Sequence, residues 1–570
     1  MADDSSKPVG CHVGVVGTGA LGLLAIKNLK EQGLEVTAFE QNDHLGGLWH
    51  FSPKPDQVTA LPMTSFNNSK QMAHITDFPF ADGTIPHLRD DATHPTAKSI
   101  ERYLEAYAKE FDLLPHIKFS TKVARVERDN VNGKWFIHTE TTIPEAESVM
   151  QRHIFDRVVL ATGIVNTPMM PHIQGIERFE GEAKHSIEFK DPYRYSDKNV
   201  LLIGLGATSA DTQSFLKMAN ARSITISHRQ QFYLVPKMIK GNAFDHGMTR
   251  RALTIFRSLG DWWPRACAMV FTKALDSARR KAYPWLSKHP SFVAPRVLAS
   301  AEHRIPVLSN DLAENLRDGI TRTVPGVKEV TGPKSVTFTD GTVLDDIDAI
   351  IICTGYEYDF SVIKGAGDPT NPEKAPDHFE RINTTRYKDP HVHFARLYRG
   401  FLSEEYPESL AFIGHFFILK APFVFNDLVT MALASLWSGK IPLPSADVMA
   451  QDINRHYDTV VNTLERGALP HLGFRMFGSD TYTWLNKVAG TGVTERIGCF
   501  SKEAWKLWWN DRKFYNLLMD GADSPAVYRL FETERGRKAW PGARDQILKT
   551  NREVKEMGEE WTKKNKAKSK

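Results

Sequence analysis

The chain has 570 residues, of which 41% are hydrophobic and 25% charged, and its formal net charge is +4. This length exceeds what one hydrophobic core usually serves, so two or three domains are expected, and the composition excludes a mostly disordered chain. The small net charge gives no reason to expect nucleic acid as a partner. Four widely spaced cysteines, without a C-x-x-C pair, argue against a disulfide scaffold, a zinc ribbon or a dithiol redox centre and favour a reducing compartment.

Neither end of the sequence indicates insertion into a membrane. The polar residues 1–7 lack the basic and apolar regions of a secretory signal, and the most apolar run, 410–425, is interrupted by His415 and Lys420. The lysine-rich tail, 563–570, is typical of a solvated end, with contact to an anionic membrane as the alternative. We expect a cytoplasmic protein, and leave open peripheral association with an intracellular membrane and formation of a homodimer.

A first nucleotide-binding unit is predicted at the start of the chain. An apolar strand at 12–16 leads into a G-x-G-x-x-G turn, a helix that ends at Gly33, and a second strand, 34–39, that ends in Glu40. In such a unit the glycines permit a tight turn, close approach of the backbone to a pyrophosphate and packing of helix on strand. The helix N-terminus offers N–H groups to phosphates, and Glu40 can accept hydrogen bonds from a ribose diol. The first unit therefore suits FAD or NAD.

The same unit recurs in the second third of the chain. A strand at 199–203 leads into Gly204-Leu-Gly206-Ala-Thr-Ser209, a helix and a strand at 223–227 that ends in Ser227-His-Arg229. The acid of the first unit is missing, and Arg229 with Ser227 could hold a 2′-phosphate, which favours NADPH. The alternative is that Arg229 is an ordinary surface arginine.

Two further strands end in glycine, at 158–163 and 349–355, and we interpret Gly163 and Gly355 as the points where the chain crosses between domains. The predicted fold class is α/β, with two Rossmann-type dinucleotide-binding domains and a mainly helical C-terminal region. The predicted domains are a discontinuous FAD-binding domain at 10–165 and 331–441, an NADPH-binding domain at 166–330 with a helical insertion at about 245–300, and a helical cap at 442–570.

No other catalytic constellation competes with the nucleotide units. His391 and His393 could be metal ligands, but no third ligand is near them in sequence, so no metal is predicted. Neither glycine turn leads into the Lys-Ser/Thr pair of a P-loop. The missing acid–base pair is consistent with a cofactor that carries the difficult chemistry. The segment 251–286, rich in tryptophan and arginine, has the composition of an amphipathic helix on a membrane or over a substrate channel, and equally of a simple helical insertion.

One motif resembles a known family. Phe179-Glu-Gly181-Glu-Ala-Lys-His185-Ser-Ile-Glu-Phe189 matches F-x-G-x-x-x-H-x-x-x-Y/F, the signature of class B flavin monooxygenases of the animal flavin-containing (dimethylaniline monooxygenase-like) type. Baeyer–Villiger enzymes of this class typically have Trp at the position of Phe189. Gly46–Trp49, Phe66–Met72 and Thr76–Phe80 are also similar to the family, so the likeness covers nearly the whole chain.

The resemblance implies an NADPH- and O₂-dependent monooxygenase that forms a C4a-hydroperoxyflavin and oxygenates nitrogen or sulfur in small organic nucleophiles. It also implies that Asn67 is the catalytic side chain facing the flavin, where an amide offers a donor and an acceptor. Asn67 alone would also suit an Asx turn. The alternatives are Baeyer–Villiger oxygenation of carbonyl compounds, an uncoupled NADPH oxidase that yields H₂O₂, and a non-catalytic redox sensor.

The chain departs from the family in three places: its tail is basic where the animal enzymes have a hydrophobic anchor, Asp427-Leu-Val429 replaces D-L-Q, and Ala207-Thr208-Ser209 replaces N-S-G. The predicted cofactor contacts divide between the two units. On the FAD side they are Gly17, Gly19, Ala20, Leu21, Gly22, Glu40, Gln41, Gly47, Leu48, Trp49, Phe66, Asn67, Asn68, Val123, Thr162 and Gly163. From the second unit onward they are Gly204, Gly206, Ala207, Thr208, Ser209, Asp211, Ser227, Arg229 and Gly355.

Overall fold

The computed structural model describes residues 10–80, 93–141, 148–229, 232, 234–289, 306–363, 365–371, 394–417, 421–466, 474–475, 479–498, 501–533 and 537–568. His391 and His393 lie outside these residues. The strands are β1 His12–Val16, β2 Glu35–Phe39, β3 Ile117–Lys118, β4 Thr121–Asp129, β5 Lys134–Thr141, β6 Val149–Phe155, β7 Arg157–Leu160, β8 Thr167–Pro168, β9 Glu182–His185, β10 Asn199–Ile203, β11 Ser223–Ser227, β12 Leu234–Val235, β13 Met238–Ile239, β14 Asn242–Ala243, β15 Val307–Leu308, β16 Thr321–Val324, β17 Val327–Gly332, β18 Ser335–Phe338, β19 Val343–Leu344, β20 Ala349–Ile352, β21 Tyr356–Glu357, β22 Leu397–Tyr398, β23 Leu402–Ser403, β24 Leu410–Phe412, β25 Phe416–Phe417 and β26 Phe474–Arg475. The α-helices are α1 Ala20–Glu31, α2 Lys70–Ala73, α3 Ala97–Glu110, α4 Ala207–Met218, α5 Arg250–Trp262, α6 Pro264–Ala282, α7 Asp311–Arg317, α8 Pro422–Trp437, α9 Ala446–Arg466, α10 Ser479–Ala489, α11 Val493–Ile497, α12 Lys502–Asn510, α13 Arg512–Asp520 and α14 Ala543–Lys568.

The first glycine unit lies at the centre of a seven-stranded sheet with the order β22-β23-β24-β7-β1-β2-β3. β1 pairs in parallel with β2 on one side and with β7 on the other, and β24 continues the parallel part beyond β7. Four of the five β1 residues are buried, as a parallel strand covered on both faces requires. The loops after β1, β7 and β24 therefore meet at one edge of the sheet, where a doubly wound fold binds its ligands.

The second glycine unit lies in a separate five-stranded sheet, all parallel, with the order β16-β11-β10-β20-β9. The α/β class and both nucleotide-binding folds are thus as predicted, and α4 begins at Ala207, directly after the glycine pair. The predicted boundary at residue 331 falls too early for this sheet. β20 is fully buried and pairs with β10 and β9, so the second sheet continues as far as Ile352.

The chain passes between the two sheets along a short ribbon. β8 follows Gly163 and β21 follows Gly355, and the two strands pair antiparallel, with Tyr356 opposite Pro168. His185 lies beside this ribbon: its Nδ1 accepts a hydrogen bond from Ile187 N–H, so its Nε2 donates to the carbonyl oxygen of Gly355 at 3.0 Å. The motif histidine therefore ties the second sheet to the crossing point.

Helices make up most of the remaining structure. α8 is buried along its whole length except for the first residue and packs on α1. α5 and α6 form a hairpin against α13 and α10, and Trp262 and Trp263 at its tip are 79% and 62% exposed. Both interpretations of the segment 251–286 stay predictions. Among the described helices, none combines the length and the apolar composition needed to cross a bilayer.

Candidate active site

The loop after β1 is shaped to receive a phosphate. Gly17 has a φ of +93°, and a Cβ there would lie 2.7 Å from the carbonyl oxygen of Ala161 in the neighbouring loop. Gly22 packs still closer, because a Cβ there would lie 2.0 Å from the carbonyl oxygen of Gly17. α1 begins after Gly19 without a side-chain cap. Its first N–H groups are consequently available to a ligand, which is the arrangement that binds the pyrophosphate of a dinucleotide.

Glu40 closes this loop from the end of β2. The side chain is buried, and its Oε2 accepts hydrogen bonds from the backbone N–H and the hydroxyl of Thr18 at 2.9 and 3.0 Å. Its Oε1 accepts from the N–H of Asn42 at 3.1 Å. A carboxylate fixed in this way keeps lone pairs for a ribose diol beside the glycine turn. The next predicted contact, Gln41, is exposed at the same edge.

A second glycine pair packs directly on the first loop. The N–H of Gly46 donates to the carbonyl oxygen of Thr18 at 3.1 Å, and a Cβ on Gly47 would lie 3.0 Å from the Cα of Gly19. The two backbones therefore leave no room for side chains between them. Leu48, which follows the pair, is 37% exposed.

Beyond these glycines stands an aromatic wall, which we define as Trp49, Phe66 and Phe423. The rings of Phe66 and Phe423 stack with centroids 5.4 Å apart, and Trp49 meets Phe66 edge-on at 5.4 Å. Phe423 belongs to α8 and comes from a part of the sequence that no motif marked. An apolar wall of this kind keeps water from a planar ring bound against it.

The loop after β10 repeats the phosphate-binding geometry. Gly204 has a φ of +104°, and a Cβ there would lie 2.5 Å from the carbonyl oxygen of Cys353. α4 begins after Gly206 without a side-chain cap, and a Cβ on Gly206 would meet open space. Ser209, in place of the third glycine, is completely buried. The loop thus has the geometry that suits a phosphate group at a helix N-terminus without a side-chain cap, and Ala207 and Thr208 are exposed there.

Asp211, in the next turn of α4, sits beside Lys237. Burial raises the pKa of Asp211 to about 6, although the Coulombic attraction of Lys237 opposes the shift. Burial likewise lowers the pKa of Lys237.

At the end of β11, the two residues predicted to hold a 2′-phosphate differ in their exposure. Ser227 is buried, and its hydroxyl donates to the carbonyl oxygen of Pro325 at 2.7 Å. Arg229 is exposed, and its aliphatic part lies over Gly326, where a Cβ would come within 2.6 Å of Arg229 Cγ. Arg229 is therefore the exposed residue of the two at this edge of the sheet.

Asn67 lies between fixed neighbours. Phe66 is buried in the aromatic wall, and its N–H donates to the carbonyl oxygen of Pro95 at 2.8 Å. Ser69 is completely buried at the position before α2, whereas Asn67 itself is exposed. Asn67 is thus an exposed residue directly after Phe66 of the aromatic wall.

The remaining predicted contacts lie near the same edge or beneath it. Thr162 and Gly163 follow β7 and are half-buried, and Gly355 occupies the crossing point. Val123 lies on β4, next to a register shift against β5, and packs on the flavin-side core. No set of three or more His, Cys, Asp or Glu side chains is arranged to hold a metal ion in the described parts of the chain.

Two dinucleotide-binding folds joined by a crossing ribbon define the two-dinucleotide class of fold. Sequence comparison identifies the family within this class. The model of the flavin-binding monooxygenase-like family matches residues 10–570, and the chain belongs to that family. Membership confirms the predicted class of enzyme, a flavin-containing monooxygenase, and the predicted cofactors, FAD and NADPH.

Individual relatives can be aligned with this chain over almost its full length. The chain is 33% identical over 541 residues to Monooxygenase aurF of Gibberella zeae, covering 95% of this chain and 97% of that protein. It is 27% identical over 559 residues to flavin-containing monooxygenase 3 of Oryctolagus cuniculus, covering 95% and 92%. The S-allyl-L-cysteine S-oxygenase of Allium sativum has the same fold, with a TM-score of 0.60 and 20% identity over 90% of this chain and 95% of that one.

The exposed position of Arg229 leads to a first prediction. Arg229→Ala is expected to reduce the preference for NADPH over NADH by about one to two orders of magnitude, because a charge-assisted hydrogen bond to a phosphate is worth about 1.5–3 kcal/mol. Steady-state kinetics with both nucleotides measure this change as kcat/KM. Arg222, exposed before the opposite end of the same strand, provides the control variant Arg222→Ala. An unchanged NADPH-to-NADH ratio in Arg229→Ala would refute the assignment.

Proposed function

We propose that this protein is an NADPH- and O₂-dependent monooxygenase that oxygenates nitrogen or sulfur in small organic nucleophiles. The overall reaction is substrate + O₂ + NADPH + H⁺ → oxygenated substrate + H₂O + NADP⁺. In this proposal the first glycine loop holds FAD, and the second loop with Arg229 holds NADPH in a cytoplasmic enzyme. When bound, the flavin supplies the activation of O₂ and the oxygen atom that is transferred.

The observation that carries the proposal is the exposed residue Asn67, which directly follows Phe66 of the aromatic wall. An amide can donate one hydrogen bond and accept another without taking up or releasing a proton at neutral pH. It can therefore orient a reacting oxygen atom without acting as a base. The wall supports this role by excluding water, since water access favours the release of H₂O₂ over transfer to the substrate.

The pKa values of two histidines near the segment that carries Asn67 also support the proposal. Burial lowers the pKa of His94 to about 4, with Lys237 contributing, and burial also lowers the pKa of His246. Both imidazoles are consequently neutral near pH 7. Transfer of an electrophilic oxygen to a sulfur or nitrogen lone pair needs orientation and a dry site rather than a strong base, and these surroundings meet that need.

The motif at the crossing point also supports oxygenation of nucleophiles over carbonyl compounds. Phe189, where Baeyer–Villiger enzymes typically have Trp, is buried and packs on Tyr195 with ring centroids 5.5 Å apart. A larger indole would have to displace this packing. The substrate test therefore includes a sulfide, a tertiary amine and a cyclic ketone.

Asn67→Ala is expected to uncouple the enzyme. NADPH oxidation should continue while product formation falls by about tenfold or more, as expected when a hydrogen bond to a reacting atom is lost. The measurement is H₂O₂ released and product formed per NADPH consumed. Asn510→Ala, at an exposed asparagine of α12, is the matched control.

Each outcome of the wild-type assay has a definite meaning. Stoichiometric formation of a sulfoxide or N-oxide supports the proposal. Conversion of the ketone to an ester or lactone with no reaction of the sulfide or amine would replace it by a Baeyer–Villiger function. Stoichiometric H₂O₂ with every substrate would identify an NADPH oxidase, and absence of NADPH turnover would identify a sensor.

A further inference from the structure

One carboxylate from the second half of the chain reaches the segment that carries Asn67. Oδ2 of Asp245 accepts a hydrogen bond from the backbone N–H of Ser69 at 2.9 Å and lies 3.4 Å from Nδ2 of Asn68. Asp245 is only 8% exposed, and its other oxygen has no hydrogen-bond partner among the described residues. Both donors follow Asn67 directly in the sequence, so the carboxylate fixes the backbone on the C-terminal side of Asn67.

The N-terminal side of the same segment is held from the same half of the chain. Nζ of Lys237 donates to the carbonyl oxygen of Ser65 at 3.3 Å. Its backbone N–H donates to Oδ1 of Asn310 at 3.0 Å, which fixes the residue in turn. Asn67 therefore lies between two attachment points, both provided by residues more than 170 positions later in the chain.

The loop that carries Asp245 is itself braced. It follows the β13–β14 hairpin, which packs against the C-terminal helix α14: a Cβ on Gly241 would lie 2.3 Å from Cβ of Trp561, and one on Gly558 would lie 3.0 Å from Nδ2 of Asn242. There is no space for the hairpin to move toward α14. The carboxylate of Asp245 is consequently a fixed point rather than a mobile surface charge.

We infer that Asp245 is a positioning residue for Asn67, which it holds against the flavin side of the site through Asn68 and Ser69. This inference rests on the proposed function. The physical reason is that the segment 65–69 lies outside the helices and strands, so its torsion angles depend on hydrogen bonds with other parts of the chain, the acceptor Asp245 and the donor Lys237 among them. An amide that must orient a reacting oxygen loses its effect when it is displaced by about 1 Å.

Hydrogen exchange of the FAD-loaded full-length protein tests the contact directly. In Asp245→Ala the amide of Ser69 should exchange about ten- to hundredfold faster than in the wild type, because a hydrogen bond to a charged acceptor is lost. Asp245→Asn keeps an oxygen acceptor and should restore most of the protection. Asp276→Ala is the matched control, because Asp276 is equally buried but pairs with Arg279 and Arg280 in α6. Unchanged exchange at Ser69 in Asp245→Ala would overturn the inference.

The positioning role is tested by measuring, in the same variants, how much of the NADPH consumed yields product and how much yields H₂O₂. Asp245→Ala should raise H₂O₂ per NADPH severalfold and lower product formation while KM for NADPH stays within about twofold, and Asp245→Asn should recover coupling. A rise in the KM for NADPH in Asp245→Ala, with the ratio of product to NADPH unchanged, would indicate a structural role in the second domain and overturn the inference. A wild type that is already fully uncoupled, with the exchange effect present, would contradict the proposed function and leave the contact established.

Discussion

Gly22→Ala is expected to abolish flavin retention. The alanine Cβ would lie 2.0 Å from the carbonyl oxygen of Gly17, a backbone atom that cannot rotate away. Either α1 moves off the sheet or the loop after β1 opens, and both displace the N–H groups that a pyrophosphate needs. Overpacking of this kind usually costs about 1–3 kcal/mol or more. The purified variant should be colourless, with less than about a tenth of the wild-type flavin content by absorbance.

The matched control for this variant is another glycine within a helix. Gly260 lies in α5, and a Cβ there would meet nothing within 4 Å. Gly260→Ala should keep the full flavin content and leave stability unchanged or raise it by about 0.4–1 kcal/mol. Stoichiometric flavin in Gly22→Ala would show that the first glycine loop does not hold the cofactor.

Arg529→Ala is expected to destabilise the protein by about 3–5 kcal/mol, the usual cost of removing one partner from a buried ionic cluster. The Arg529 side chain is 2% exposed and donates to both carboxylate oxygens of Glu31 on α1, at 2.7 and 3.0 Å. It also lies 3.2 Å from Oδ2 of Asp77 and donates to Oδ1 of Asn28 at 3.0 Å. The variant leaves the buried carboxylate of Asp77 and the partly exposed carboxylate of Glu31 with Lys27 as their remaining ion-pair partner among the described residues.

Denaturation followed by tryptophan and flavin fluorescence measures this loss and its pH dependence. Burial by itself would raise the pKa of Glu31, but Arg529 and Lys27 lower it to about 2. The stabilisation from Glu31 is therefore complete above its ordinary pKa of 4.5 and is lost as the pH falls toward 2. The difference between wild type and variant should shrink over that interval.

An exposed arginine provides the comparison. Arg455 forms ion pairs with Asp452 and Asp480 but is 68% exposed, so Arg455→Ala should cost less than about 1 kcal/mol. Equal losses for Arg455→Ala and Arg529→Ala would contradict a buried cluster that joins the C-terminal region to α1.

Local sequence patterns were enough to predict the two nucleotide-binding folds. A buried parallel strand, a glycine turn and a helix are set by residues within about thirty positions of one another, so their order is readable as a local pattern. The predicted strands at 12–16 and 199–203 have the same bounds in the structure, and Gly22 and Gly204 make the close approaches that the motif requires. The family motif at Phe179–Phe189 was recognisable for the same reason.

The tertiary structure alone decided which strands share a sheet. Residues 349–352 form an apolar strand that fits either sheet by composition, and the predicted boundary at 331 assigned it to the flavin side. Only its pairing with β10 and β9 places it in the second sheet. Strand partners are chosen by long-range packing, which leaves no local trace in the sequence.

The supports of the site were also visible only in three dimensions. Phe423 in the aromatic wall, Asp245 beside Asn68 and Ser69, and Arg529 beside Glu31 are respectively an ordinary apolar residue, an acid in a loop and a late arginine when they are met in the sequence. Each acquires its role from a contact across more than 170 positions. Local pattern fixes where a chain can bind a nucleotide, whereas the groups that hold the reacting side chains in place are selected by burial and proximity in the folded protein.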